Sequence, residues 1–509
     1  MAQYILLQSV VLPLVAALFC YLLAPKVGKL VGWIAFAALF VTTFSIIAFG
    51  WNQLYGGVPG NSISEYYTWA PTAGLTFGFL ADGLSYPVAI LVNLVLAATA
   101  VYSMPYMEKR IKDLYGEARP ARFGLYYLNF LLVATGLIGI ALSTNLIEIY
   151  LFVELVLVPT FAMISIFGYV QKERVGIIYI IWNQLGAFIF LAGIAMFYSS
   201  TGTFDLTAGP SGSLARAAAS PLAYWIAGLI LLGWLVKMSV FGVHMWLPIT
   251  EAEAPTSFAP TMAVVSGIGA YVIARILFFG MPAVFSAFSL PLMAWAVITM
   301  FYGGAVAMVQ SDVKYIFAWS TMSQTAYSIL GLASAATLGA VGGVFFFGSQ
   351  ILGKFVMFAV AGILLTQTGL RSVKQMGGLA AKMPFTAALF VLGALILSAV
   401  PPTSGFQAEW IMFAGIFSKG AQGSSAYLLV AILGLVATMF TVAYTFWPIK
   451  KIFYGELAPG LDDVKEAPLT MTLPLLALVV AAILIGIYPD LVTKFLTGFA
   501  GILTAGGVP

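Results

Sequence analysis

Charge is scarce in this sequence. Asp, Glu, Lys and Arg make up 8% of its 509 residues, where soluble domains carry about 25%. With 62% hydrophobic residues, that shortage excludes a soluble globular protein. Cysteine is nearly absent too. The one cysteine, Cys20, excludes an internal disulfide and any cysteine-ligated cluster; lying in an apolar run, it reads as a small buried or lipid-facing residue. The one histidine, His244, excludes a haem held by two histidines and speaks against a metal centre. The longest loops, near 51–79, 105–122, 200–221 and 449–469, are too short for a nucleotide-binding fold. No GxGxxG follows a strand and no GxxxxGK[ST] occurs, so no nucleotide hydrolysis or dinucleotide binding is expected. The alternating segments of about ten residues that mark an outer-membrane barrel are missing. The net charge of +4 points to no nucleic acid, because the basic residues sit in short loops.

What the sequence does have is long uncharged runs from end to end. They fall near 4–24, 29–50, 80–104, 123–142, 146–168, 175–199, 222–242, 256–280, 289–309, 314–333, 338–364, 383–419, 425–448 and 470–489. These fourteen are close to the ~20 residues that cross a bilayer core. The expected fold is an all-α polytopic membrane protein of about fourteen transmembrane helices. The twelfth run is too long for one helix and holds VPPTSG at 400–405, so it should be two half-helices around a break. The N-terminal MAQYILLQSV has no basic stretch and no evident cleavage site, so the first helix should be retained. Taking alternate loops, sixteen Lys and Arg fall on one side and three on the other. That positive-inside bias puts both termini on the outer side.

Runs four to eight and nine to thirteen make two five-helix units, and an odd number of spans sets them in opposite topology. Each has a break in its fourth run, at SVFG 239–242 and at PPTSG 401–405, with Lys237 and Glu409 beside them. Paired interrupted helices in two halves point to a transport path. The chain therefore divides into 1–122, an N-terminal three-helix region; 123–280 and 281–448, two half-channels; and 449–509, a C-terminal helix region.

Ionisable side chains inside spans are expensive and mark function. Glu154 lies mid-span in LFVELVLVP, and Lys237 is its natural partner. Such a pair can pass a proton, or it can staple two helices. Lys354 lies mid-span in SQILGKFVMF, and Glu409 follows the second break in GFQAEW. In chain order, Glu154, Lys237, Lys354 and Glu409 make a candidate proton relay. His244 has two readings, a proton carrier or a hydrogen-bonded residue that fixes the break. Glu251 and Glu253 are expected to stabilise the loop before the eighth span, with a role in proton entry as the other reading. Asp82 and Asp312 read as caps and Arg275 as interfacial. Lys314, Ser323 and Gln324 are either relay points or ordinary polar residues. The aromatics, 15% of the chain, read as interface belts and lipid-facing filler.

At these residues the chain resembles the antiporter-like proton-pumping subunits of respiratory complex I. The same family includes Mrp-type Na⁺/H⁺ antiporter subunits and the membrane parts of energy-converting hydrogenases. The matching stretches are ADGLS at 81–85, VELVLVP at 153–159, KMSVFGVHMWLP at 237–248, EAPT at 253–256, DVKYIFAWSTMSQ at 312–324 and SGFQAE at 404–409. The resemblance implies two inverted half-channels and a pumping pair, here Glu154 and Lys237. A glutamate in the broken twelfth helix is similar to the chain 4, or M-type, subunits. Two departures stand out: Gly267 occupies the place of the family's eighth-helix lysine, and Glu251 that of a histidine. Lys354 is positioned to take over from the missing lysine. The resemblance implies no cofactor in this chain and a place in a prokaryotic cytoplasmic membrane. Partners would be other membrane subunits of a complex I-type assembly, homologous antiporter-like subunits among them, and the ion H⁺ or Na⁺. A Mrp-type antiporter subunit is the alternative.

Overall fold

The computed structural model describes residues 4–51, 54, 61–70, 75–207, 209, 211–422 and 425–504. The chain begins with α1 (Ile5–Val27), α2 (Val31–Gly50) and a hairpin, β1 (Ile63–Ala70) with β2 (Leu75–Ala81). Next come α3 (Ser85–Tyr115), α4 (Pro120–Leu142), α5 (Leu146–Phe167), α6 (Lys172–Thr201) and the short α7 (Ser213–Ala219). The seventh run splits into α8 (Ala223–Lys237) and α9 (Trp246–Glu253), and the eighth into α10 (Ala259–Gly267), α11 (Gly269–Ile273) and a π-helical turn over Ala274–Phe278. After α12 (Pro282–Ser286) stand α13 (Ser289–Val309), α14 (Val313–Ala333) and α15 (Thr337–Thr368). The twelfth run splits into α16 (Pro384–Leu397) and α17 (Ser404–Gln422), followed by α18 (Ser425–Phe453), α19 (Leu469–Ile487) and α20 (Asp490–Thr504).

All fourteen expected runs are helical. By length and apolarity, ten helices among the described residues qualify to cross a membrane, or eleven if the bent pair α7 and α8 is one span. That test joins α1 and α2 into one stretch. It passes over α16, with 14 residues, and α14, whose face carries Ser320, Thr321, Ser323, Gln324 and Thr325. Polar residues lower hydropathy even where the bundle buries them, so apolarity alone undercounts inner helices.

Local chemistry sets most ends. Asn145 and Asp312 accept backbone N–H bonds at the starts of α5 and α14. Gly116 and Gly369 take left-handed φ of 74° and 73° where α3 and α15 stop. The hairpin lies in a stretch expected to be loop. Its Glu65 accepts from the Leu6 and Leu7 amides at 2.8 and 2.9 Å, so it caps α1 from outside.

The two breaks repeat one another residue for residue. α8 ends at Lys237 and Ser239 has φ 61°; α16 ends at Leu397 and Ala399 has φ 52°. In each break the following valine N–H reaches back five residues, Val240 to the Leu235 carbonyl and Val400 to that of Leu395. Left-handed φ at a non-glycine residue is strained and needs surrounding structure to hold it. Its recurrence at matching positions supports the internal repeat. It also corrects the expected symmetry of charges. Lys237 precedes its break and corresponds to Leu397, whereas Glu409 follows its break. The carboxylate that follows the first break is Glu251, on α9.

Small residues let the half-helices close in. α17 packs on α15, where a Cβ on Gly342 would lie 2.3 Å from the Met412 backbone nitrogen. Gly342→Ala should therefore lower the midpoint of thermal unfolding in detergent, by an overpacking cost of about 1–3 kcal/mol. Gly228→Ala, whose Cβ would meet only the Phe288 ring at 3.8 Å, should leave the midpoint unchanged or raised. Equal midpoints for Gly342→Ala and wild type would contradict this account of the α15–α17 contact.

Candidate functional site

The embedded charges sit along the middle of the bundle, on helices of both units. Lys237 ends α8, and its Nζ donates to the Asn183 carbonyl on α6 at 3.1 Å. Glu154 is half-buried on α5 and accepts from Gln184 Nε2 at 3.3 Å. The two charges meet neighbouring residues of the same helix, and each lies within electrostatic range of the other. No ion pair within 4.0 Å joins them among the described residues. The expected direct contact is thus replaced by one through α6. Beside Lys237 is a small cavity with about 20 Å³ open to water centres, lined by Tyr179, Asn183, Trp234 and apolar side chains. That is room for one water.

His244 lies in the first break. Its Nδ1 accepts from the Gly242 N–H at 3.1 Å, and its carbonyl accepts from Ser239 Oγ at 3.0 Å. Its ring stacks on Phe241 and packs edge-on to Tyr302. Nδ1 cannot take a proton without giving up the Gly242 bond, which favours the break-fixing reading.

In the second unit Lys354 is fully buried on α15. It donates to the Phe317 carbonyl at 3.0 Å and to Ser320 Oγ, both on α14. One turn along α14, Gln324 Nε2 donates to Tyr444 Oη at 2.8 Å and Thr441 Oγ1 at 3.1 Å. Tyr327 Oη shares a 2.8 Å bond with Thr441 Oγ1. Tyr327 and Tyr444 are within electrostatic range of Glu409, which is half-buried on α17. Hydroxyl and amide groups thus stand between Lys354 and Glu409, with no hydrogen bond among the described residues from Ser320 to Gln324 or from the tyrosines to Glu409. Of these groups, Gln324 was legible in the sequence. Tyr327, Thr441 and Tyr444 were not, because a tyrosine in a membrane helix reads first as an interface residue.

A second tyrosine cluster was missed for the same reason. Tyr102, Tyr106, Tyr126 and Tyr127 are buried. Tyr106 and Tyr169 share a hydroxyl hydrogen bond, Tyr169 bonds Thr256 Oγ1 at 2.8 Å, and Tyr126 bonds Ser257 Oγ at 2.9 Å. Tyr106 and Tyr169 line a cleft of about 390 Å³ together with Lys109, Arg110, Asp113 and Arg371. Lys314 is buried beside it, on the Ala254 carbonyl and 4.4 Å from the Tyr169 ring centre.

The other acidic residues separate clearly. Asp312 caps α14 and pairs with Arg371 at 2.7 Å. Asp82 accepts from the Leu84 and Ser85 amides and pairs with Arg275 at 2.7 Å. Arg275 is half-buried in the π-helical turn near the end of the eighth run, with Nε on Tyr271 Oη at 2.7 Å. Glu253 stabilises its loop, accepting from the Gln171 N–H at 2.6 Å. Glu251 does not: it is fully buried, and neither carboxyl oxygen has a hydrogen-bond partner. Where the family carries an eighth-helix lysine, Gly267 stands against the Phe347 ring, which a side chain there would force to move. A Cβ there would lie 2.7 Å from the Phe347 ring and 3.2 Å from Gln350 Nε2. Among the described residues, no three His, Cys, Asp or Glu side chains gather where they could hold a metal ion.

Two broken helices of matching local geometry, with lysines and carboxylates set among apolar helices, define an antiporter-like transmembrane subunit. The transmembrane family model described as NADH:quinone oxidoreductase/Mrp antiporter matches residues 143–441, and the chain belongs to that family. It is 29% identical over 499 residues to NAD(P)H-quinone oxidoreductase chain 4 1 of Nostoc sp., covering 95% of this chain and 88% of that protein. Its fold is similar to a chain of respiratory complex I from Thermus thermophilus, with a TM-score of 0.83, 22% identity and 99% of each chain covered. A chain of the Mrp complex from Dietzia sp. superposes with a TM-score of 0.83 at 21% identity, covering 99% of this chain and 97% of that one.

The geometry around α6 makes a graded prediction. Lys237→Met and Glu154→Gln should each cut proton translocation by about tenfold or more with assembly intact. Gln184→Leu, which removes the bond to Glu154, should cut it less. Normal proton-to-electron ratios in both charge mutants would refute a role for the pair.

Proposed function

We propose that the chain is the proton-translocating, antiporter-like subunit of a complex I-type respiratory assembly, of the chain 4 kind. The observation that carries this reading is the set of groups Glu154, Lys237, Lys354 and Glu409, the two lysines buried and the two glutamates half-buried within apolar helices where charge is costly. Glu409 and the Nostoc relative support the chain 4 kind. Electron transfer would take place in other subunits, and a change at their boundary would move charge along this path. Residues 123–280 and 281–448 would act as the two half-channels, between the N-terminal region 1–122 and the C-terminal region 449–509. The loop charge bias supports both termini on the outer side of a prokaryotic cytoplasmic membrane. Homologous antiporter-like subunits and other membrane subunits would be its neighbours.

The alternative, a Mrp-type Na⁺/H⁺ antiporter subunit, shares the fold. Two measurements separate them. Mild-detergent purification from native membranes should recover the chain with redox subunits rather than with antiporter subunits alone. Proton uptake driven by the intact complex should persist when Na⁺ is removed.

Glu409 lies beyond the second break, near the Tyr327 and Tyr444 hydroxyls. Glu409→Ala should abolish translocation at matched assembly, whereas Glu409→Lys, which keeps an ionisable group there, should retain a measurable part. Near-normal pumping in the alanine mutant, assayed in native membranes, would make Glu409 only a structural neighbour of the break.

A further inference from the structure

The two half-units meet where α9 packs on α14 and α10 on α15. Glu251 stands on the first unit's side of that seam and Lys354 on the second's. Glu251 is fully buried, and both of its oxygens lack a hydrogen-bond donor. The charged groups within electrostatic range of it are Lys354 and Lys314, and the Thr321 hydroxyl is close enough to turn and donate to it. In the structure Thr321 donates to the Phe317 carbonyl, Lys354 to Phe317 and Ser320, and Lys314 to Ala254, which leaves each ammonium at least one N–H uncommitted. One turn before Lys354 on α15, Gln350 also has both amide atoms buried without partners. Buried polar groups normally have protein or water partners. A cluster of unpartnered ones at a seam between two helical units is the pattern of a place where a proton is handed over, not of a packed structural contact.

Register adds a second, independent argument. Glu251 and Glu409 both lie on the half-helix that follows the break of their unit. Glu409 ends the proposed path in the second unit, and Glu251 is the carboxylate on the matching half-helix of the first, two residues out of step with Glu409 when the two breaks are superposed. That carboxylate lies beside α14 and Lys354.

We propose that Glu251 and Lys354 form the junction that passes protons between the two half-channels, in place of a lysine at 267. This rests on the proton-translocating reading above. The pair has two forms carrying the same number of protons, carboxylic acid with free amine and carboxylate with ammonium. They differ by one proton moved across the seam. A proton arriving from the Lys237 side converts the second form into carboxylic acid with ammonium. Loss of a proton from Lys354 through Ser320 towards Gln324 then leaves the acid with the free amine, and the count balances.

Infrared difference spectra and proton pumping of the intact complex test the junction separately. In wild type, a C=O stretching band of a buried protonated carboxyl should appear; it should vanish in Glu251→Gln and shift in Lys354→Met. Glu251→Gln should cut pumping about tenfold or more, and Glu251→His, which restores an ionisable group, should recover a substantial part. An unchanged carboxyl spectrum in Glu251→Gln, or wild-type pumping in that mutant, would overturn the junction. So would equal loss in the Gln and His variants at matched assembly, which marks a structural role. If the wild-type complex moves no protons, the functional reading falls, while the spectral response of Glu251 to Lys354→Met still decides whether the two are coupled.

Discussion

A cation inside an apolar bundle is held by whatever the protein sets beside it, and here that is a neutral backbone carbonyl. Lys237 rests on Asn183, Lys354 on Phe317 and Lys314 on Ala254. The difference from an ion pair decides what these lysines can do. A carboxylate in contact fixes the ammonium form, and breaking such a pair leaves a costly uncompensated charge. A carbonyl accepts from an ammonium and, more weakly, from a neutral amine. Lysines held in this way keep their place whichever form they take. The carboxyl groups, at some distance, bias that choice instead of locking it.

The same constraint accounts for the breaks. A helix interrupted inside the apolar layer exposes N–H and C=O groups, and each must find a partner within the protein. The structure meets this with one motif used twice: a left-handed residue, a five-residue reach-back and a short turn closed by a side chain. His244 and Ser239 close the first turn, and Thr403 the second through the Val400 carbonyl at 2.8 Å. The motif ends each helix at a fixed point and restarts it at a new angle. It thereby places Lys237 before one break and Glu251 and Glu409 after the two breaks. The matching left-handed residues, Ser239 and Ala399, are not glycines, so no glycine pattern marked them in the sequence.

The departures from the family are linked to one another. With the Phe347 ring packed beside Gly267, a side chain there would force that ring to move, and the charged residues near this region are Lys354 on α15 and Glu251 on α9. The eighth span itself ends in a π-helical turn, whose Arg275 is tied to Asp82 and Tyr271. That span is pinned at its end by an ion pair, and its middle carries no charge.

The sequence by itself determined the class of fold, the order of helices, both breaks and the four embedded charges, because each of these is a local property. Twenty apolar residues form a spanning helix wherever they sit, a PPTSG stretch interrupts one, and a lone lysine among leucines is costly in any arrangement. Azimuth and depth are not local, and tertiary structure alone decided them. Only packing put Asn183 and Gln184 between Lys237 and Glu154, turned the tyrosines of α3, α4, α14 and α18 inward, and set Arg275 on Asp82 and Tyr271. Glu251 and Glu253 make the point most simply. They are two residues apart on one short helix and look alike in the sequence. Glu253 faces a loop amide that bonds it, while Glu251 faces the seam between two half-units, beside Thr321 and Lys354.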